Sequence, residues 1–237
     1  MDAIISIVKQ LIELLTAFLA QSKAQEPPRP DKAPPEIEEK PNAVTEPIVQ
    51  VVKGVKYKTH GKFKTKSGKA KGLVVHYTVS GRSQAAAKNV VAYLAKEGLG
   101  CPVMDENGII YIPEGFNWLT DVAYHAGVSS WKGVSGISAY CIGMEICNWG
   151  TAGKEKGAKD LRIQASKKEN IKPGTYQMYT EAQEKALINL CLWLKKQCPE
   201  FDFDWVVGHD EIAPTRKADP GASLSMTMPD LRKLLKA

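Results

Sequence analysis

Between Val207 and Gly221 the chain sets His209, Lys217 and Asp219 within eleven residues, on backbone stiffened by Pro214 and Pro220. An imidazole and a carboxylate are good ligands for a divalent metal such as zinc, and an ammonium beside them can stabilise an oxyanion. Two more histidines stand upstream in apolar settings: His76 in Leu73-Val74-Val75-His76-Tyr77-Thr78 and His125 in Tyr124-His125-Ala126-Gly127. The fourth, His60, lies in a lysine-rich stretch and reads as a solvated bystander. The chemistry such a set offers is zinc-assisted hydrolysis. Spacing alone leaves this open, because Asp-Pro-Gly is a common turn and a buried histidine is usually a hydrogen-bonded core residue.

The elements that must hold these groups read as α/β. Residues 72–79 predict a strand ending near His76, and 83–96 a helix stopped by Gly98 and Gly100. Cys101–Met104 and Ile109–Ile112 predict a hairpin around Asp105-Glu106-Asn107-Gly108, with Asn-Gly at its tip. Strand 141–147 carries Glu145, a carboxylate in an apolar pattern that is expensive to bury unless paired or functional. Helix 180–197 opens at the capping box Thr180-Glu181-Ala182-Gln183; strand 204–208 delivers His209; a last helix covers about 229–236. This alternation predicts a mixed central β-sheet flanked by helices, with a single zinc site at the strand ends.

From about Gly72 to Leu235 the chain resembles the type 2 zinc-dependent N-acetylmuramoyl-L-alanine amidases, a group that includes phage endolysins and muropeptide amidases and shares its fold with peptidoglycan recognition proteins. The resemblance rests on five segments in order: Val74-Val75-His76-Tyr77-Thr78, His125-Ala126-Gly127-Val128-Ser129-Ser130-Trp131, Ile142-Gly143-Met144-Glu145, Tyr179-Thr180-Glu181-Ala182-Gln183, and Gly208-His209 through Lys217-Ala218-Asp219-Pro220-Gly221. It implies that His76, His209 and Asp219 bind Zn2+, leaving one coordination position open as catalytic sites do. It further implies that Glu145 is the general base and that Lys217 holds the oxyanion. His125 and Trp131 are expected to contact substrate, His125 alternatively being a satisfied wall residue. The implied reaction cleaves the amide between N-acetylmuramic acid and L-alanine in peptidoglycan. The expected setting is a phage endolysin acting on the cell wall after holin-type release; the alternatives are a cytosolic muropeptide-recycling amidase, an interbacterial toxin or a non-catalytic peptidoglycan-binding module. Two departures stand out: Leu99-Gly100-Cys101-Pro102-Val103 lacks the polar residue that many relatives place near the cleft, and residues 150–175 look like an insertion. The insertion carries seven basic and three acidic residues and is expected to wall the cleft.

The rest of the chain frames this domain, taken as residues 51–237. In residues 1–23, Ile4, Val8, Leu11, Leu15 and Phe18 recur at helical spacing, predicting an amphipathic helix. Lys9 and Glu13 interrupt any membrane span, so self-association through residues 4–19 is favoured over weak contact with a membrane surface. Residues 24–50 hold seven of the fourteen prolines and read as a linker. Residues 53–71 carry eight lysines and no acid, in a chain whose net charge is only +6. A lysine-faced hairpin over Gly54–Lys71 would suit an anionic polymer or simply solvate the surface; with no zinc-finger spacing or RNA-binding motif, nucleic acid is not an expected partner. Five cysteines without a Cys-x-x-Cys argue against a disulfide framework. Met1-Asp2-Ala3 lacks the basic start of a signal peptide, so synthesis in the cytoplasm without one is expected.

Overall fold

The computed structural model describes residues 43–57, 70–99, 102–121 and 123–237. The chain divides into two units, Met1–Glu36 and Ile37–Ala237, and every described residue lies in the second. The expected N-terminal helix, its self-association and its membrane-surface alternative therefore fall outside the described residues. So do the linker up to residue 42, His60 and most of the lysine-rich run. No helix among the described residues is long and apolar enough to cross a membrane.

The strands are β1 (Val49–Lys56), β2 (Gly72–Tyr77), β3 (Val103–Met104), β4 (Ile110–Glu114), β5 (Ser130–Trp131), β6 (Val134–Ser135), β7 (Cys141–Ile146), β8 (Leu161–Gln164), β9 (Gly174–Gln177) and β10 (Val206–Gly208). The α-helices are α1 (Gln84–Glu97), α2 (Glu181–Gln197), α3 (His209–Ile212) and α4 (Met228–Lys236). Six strands form the central mixed sheet in the order β1-β4-β3-β7-β2-β10, with β3–β4 its antiparallel pair; β5–β6 and β8–β9 are separate hairpins.

Local chemistry sets the element ends. Ser83 caps α1 by accepting from the Ala86 amide, and Gly98 closes it in the left-handed region at φ 72. Thr180 and Gln183 form the reciprocal capping box of α2. The β3–β4 turn is held by Asp105, whose Oδ1 accepts from the amides of Asn107 and Ile109 while Tyr111 donates to its Oδ2. β1 crosses the 50/51 boundary drawn from composition. Thr45 already exchanges two hydrogen bonds with Asn189 on α2. Gly54 lies inside β1 at a register shift and takes φ +79, which a bulge asks of glycine; most of the expected Gly54–Lys71 hairpin lies outside the described residues.

The two faces of the sheet are covered differently, and this places the site. Leu73, Val75, Met104, Ile110, Ile142, Met144 and Val206 point to one face, where α2 and α4 bury them in the largest apolar cluster. The opposite face carries two smaller clusters. Val74, Cys141 and Val207 pack with Ala126, Ile137 and Ile212, while Val103, Tyr111 and Cys147 pack under Ala87 and Val91 of α1. Strand periodicity puts His76 in phase with Val74 and Glu145 in phase with Cys141 and Cys147. His76 and Glu145 are also register partners. Both therefore occupy this second face, at the C-terminal ends of adjacent parallel strands, where open α/β sheets hold their ligands.

Gly72 begins β2 where the backbone of Trp205 passes; a Cβ there would come within 2.2 Å of the Trp205 carbonyl oxygen. Gly72→Ala is expected to destabilise the domain by about 1–3 kcal/mol or more by forcing β2 away from the segment that leads into β10. Urea unfolding of the variant would show it, and an unchanged midpoint would refute the close approach.

Candidate metal centre

His76 is the penultimate residue of β2, His209 opens α3 directly after β10, and Asp219 sits in the loop beyond; they are 2%, 1% and 7% exposed. One ligand atom from each lies within 4.8 Å of the others. Nδ1 of His76 is 2.9 Å and Nδ1 of His209 is 3.0 Å from the same oxygen, Asp219 Oδ2.

Each ligand is held by its own support. Next to His209, Glu211 accepts from the Gly208 amide and from both guanidinium arms of Arg232 on α4, at 2.7 and 2.8 Å. The carbonyl of Asp219 accepts from the Asp210 amide at 2.7 Å, which ties the loop to α3. Beyond it, Arg162 of β8 donates to the carbonyls of Ala222 and Leu224. The β8–β9 hairpin, which takes up much of residues 150–175, is thus braced against the Asp219 loop, and the ion pair Arg82–Asp160 fastens the segment leading into it to the residues before α1. Tyr179 donates to the carbonyl of His76 at 3.0 Å and steadies the end of β2.

Donor chemistry decides whether these residues fit a metal. Nε2 of His209 lies 3.1 Å from the carbonyl oxygen of Ala126, which can only accept, so the ring proton sits on Nε2. Nδ1 of neutral His209 then presents a lone pair to the Asp219 carboxylate. Two acceptors at 3.0 Å in a buried place need a positive charge between them, either a proton or a metal ion. Two imidazole nitrogens and a carboxylate oxygen converging this way match the nitrogen and oxygen set of a catalytic zinc site.

The surroundings agree. Burial pushes the His76 pKa down, against the pull of Asp219, favouring the neutral ring that a metal requires. Burial works against the Asp219 charge, yet contacts with His209 and His76 outweigh it and hold this carboxyl well below the usual range. Burial, then the nearby Asp219 charge, raises Glu145 to about 8, with Lys217 opposing. No hydrogen bond to the Glu145 carboxylate is seen among the described residues. Asp210 is raised to about 7 by burial and by the Glu211 and Asp219 charges, and its Oδ1 is buried without a partner among the described residues.

Of the residues picked out by sequence, His76, His125, His209 and Asp219 come together, Glu145 is adjacent in register and Lys217 lies two residues before Asp219. Trp131 spends its indole N–H on the Asp204 carbonyl, 2.8 Å away, with Arg232 over its ring. Burial, then proximity to His76, holds His125 well below the ordinary histidine pKa. Sequence reading missed Arg216, whose Nη2 donates to the carbonyls of Ala126 and Val128 and so clamps the turn that fixes the His209 tautomer. It also missed Glu211–Arg232 and Arg162; the only hint was the run of acids after His209.

A carboxyl whose folded pKa is raised keeps its proton after the unfolded chain has lost it. The metal-free protein must therefore lose stability as pH rises from about 4.5 to about 8 on account of Glu145. Metal-free Glu145→Gln is expected to match the parent at pH 4 and exceed it at pH 8 by roughly 1–3 kcal/mol, a figure discounted for partial exposure. Urea melts in chelator at both pH values measure this, and an equal gain at each would contradict it.

Comparison with known proteins bears on the site as a whole. The N-acetylmuramoyl-L-alanine amidase family model matches residues 66–222, which contain all three candidate ligands and Glu145. The 1,6-anhydro-N-acetylmuramyl-L-alanine amidase AmpD of Haemophilus influenzae is 30% identical over 119 residues, covering 50% of this chain and 50% of that protein. The chain thus spans about half the length of the curated relative it matches. The N-acetylmuramoyl-L-alanine amidase LysC of Clostridium intestinale URNW superposes with a TM-score of 0.51 at 15% identity, over 81% of this chain and 99% of that one. The endolysin LysCS of the same organism superposes with a TM-score of 0.50 at 14% identity, over 82% and 99%. These two likenesses concern the fold. With the family model covering most of its length, the chain belongs to the N-acetylmuramoyl-L-alanine amidase family.

Proposed function

We propose that this protein is a zinc amidase that hydrolyses the bond between the lactyl group of N-acetylmuramic acid and L-alanine in peptidoglycan. The observation that carries the reading is the buried convergence of His76 Nδ1, His209 Nδ1 and Asp219 Oδ2 beside Glu145. A bound zinc ion would polarise the scissile carbonyl and make water a stronger acid. His76, His209 and Asp219 would hold that ion. The Glu145 carboxylate takes the proton of the attacking water and passes it to the departing L-alanine nitrogen. A cation held beside Asp219 would oppose the carboxylate repulsion that raises Glu145 and so favour the ionised form that accepts a proton. The Lys217 ammonium stabilises the oxyanion that forms on the former carbonyl.

Polymeric cell wall is the proposed substrate, as for an endolysin. The hairpin braced on the Asp219 loop bears Lys167 and Lys168 between its strands, both exposed, and a cationic rim there suits an anionic polymer more than a free muropeptide. The partial match to AmpD favours the second reading, hydrolysis of small anhydro-muropeptides.

Purified peptidoglycan digested with the protein should release stem peptides bearing a free L-alanine amino group in the mass spectrum. Chelation should abolish the release and zinc should restore it. Wall binding without release would make the chain a recognition module. Lys217→Ala is expected to lower kcat by about 10²–10³ with KM nearly unchanged; a rise in KM alone would assign Lys217 to substrate binding. Lys167→Glu combined with Lys168→Glu should raise KM on intact wall several-fold more than on an anhydro-muropeptide. Equal effects would shift the assignment to muropeptide recycling.

A further inference from the structure

His125 belongs to the histidine cluster, yet both of its ring nitrogens are engaged within the protein. Nε2 lies 3.0 Å from the carbonyl oxygen of Cys141, and Nδ1 lies 3.0 Å from Nε2 of His76. Since a carbonyl only accepts, the proton of neutral His125 is on Nε2, and Nδ1 carries a lone pair. The atom facing that lone pair must donate, which puts the His76 proton on its own Nε2. His76 is then left with a lone pair on Nδ1, the atom 2.9 Å from Asp219 Oδ2. The outcome matches that at His209, where the Ala126 carbonyl performs the same selection without an intermediary. The His125 backbone is itself pinned: Ser138 Oγ accepts from the amides of His125 and Ala126, at 3.3 and 3.0 Å. The rings of His76 and His125 meet at 78°, with centroids 5.1 Å apart.

We propose that His125 is a positioning residue for the metal centre, relaying the polarity of the Cys141 carbonyl to His76 and holding it in the tautomer that binds metal through Nδ1. The inference rests on the reading that His76, His209 and Asp219 hold zinc. Its chemistry is that of a ligand histidine whose second nitrogen is fixed by a hydrogen bond, with an imidazole in the place usually taken by a carboxylate or a carbonyl. A substrate-contact role makes a different demand, because it requires a ring nitrogen free to face the cleft.

The experiment measures zinc affinity by competition with a chromogenic chelator for the parent, His76→Ala, His125→Leu and His125→Asn. It is paired with long-range 1H–15N spectra of the parent imidazoles. Asn can place its Oδ1 where Nδ1 stood and still accept from His76; Leu cannot accept at all. His125→Leu is expected to weaken zinc about 10–100-fold and His125→Asn by much less, within roughly threefold of the parent. The parent spectra should show both His76 and His125 protonated on Nε2, before and after zinc is added. Parent-like zinc affinity in His125→Leu, or a His76 that carries no proton on Nε2 in the parent, overturns the relay. If Leu and Asn weaken zinc equally, the role is packing and the relay is again refuted. Parent-like zinc binding by His76→Ala instead overturns the metal-site reading on which the inference rests. The spectra need no variant, so they decide the matter even if His125→Leu fails to fold.

Discussion

Three lone pairs directed at one buried point repel one another, and a chain gains nothing by folding them together unless something positive sits among them. Nδ1 of His76, Nδ1 of His209 and Oδ2 of Asp219 are arranged in this way. Their repulsion is sustained because each donor is pinned from behind. The Ala126 carbonyl faces His209, the Asp210 amide holds Asp219, and Tyr179 grips the backbone of His76. The uneven cover of the sheet serves the same end. One face is sealed by α2 and α4, whereas the other is closed by two small clusters that leave His76 and Glu145 between them.

Arginine does much of the tethering. Arg232 reaches from α4 to Glu211 behind His209, Arg216 gathers the carbonyls of Ala126 and Val128, and Arg162 crosses from β8 to those of Ala222 and Leu224. A guanidinium suits this work because its fork presents several donors in one plane and stays charged when partly buried. All three join elements far apart in sequence around the Asp219 loop.

What the sequence reveals follows from how local each constraint is. The capping box at Thr180 and Gln183, the Asn107-Gly108 turn and the apolar periodicity of the strands are legible because cause and effect lie within a few residues. The ligand set was reached through ordered family motifs, since only His209 and Asp219 are close in the chain. β1 was hidden by its neighbours: Pro41 and Pro47 gave the region a linker's composition, while Val49, Val51 and Val52 pair with β4 only in tertiary context. Arg216 and Arg162 left no trace, because a side chain bonding a distant carbonyl imposes no residue type on its partner, and Arg232 left only the run of acids after His209. For the same reason His125 reads from sequence as part of a cleft wall, although its nearest polar neighbours are another histidine and a main-chain oxygen.

The span of the ligand set has a kinetic consequence. His76 and Asp219 are 143 residues apart, and they meet in the assembled domain, where β2 pairs with β10 and β8 bonds the loop that follows Asp219. A metal ion would find at most the local pair His209 and Asp219 in the extended chain, and the full set only in the folded one. The binding energy of such an ion would be gained mainly by the folded state. The ion would act as a latch, lengthening the lifetime of the finished structure by slowing its opening.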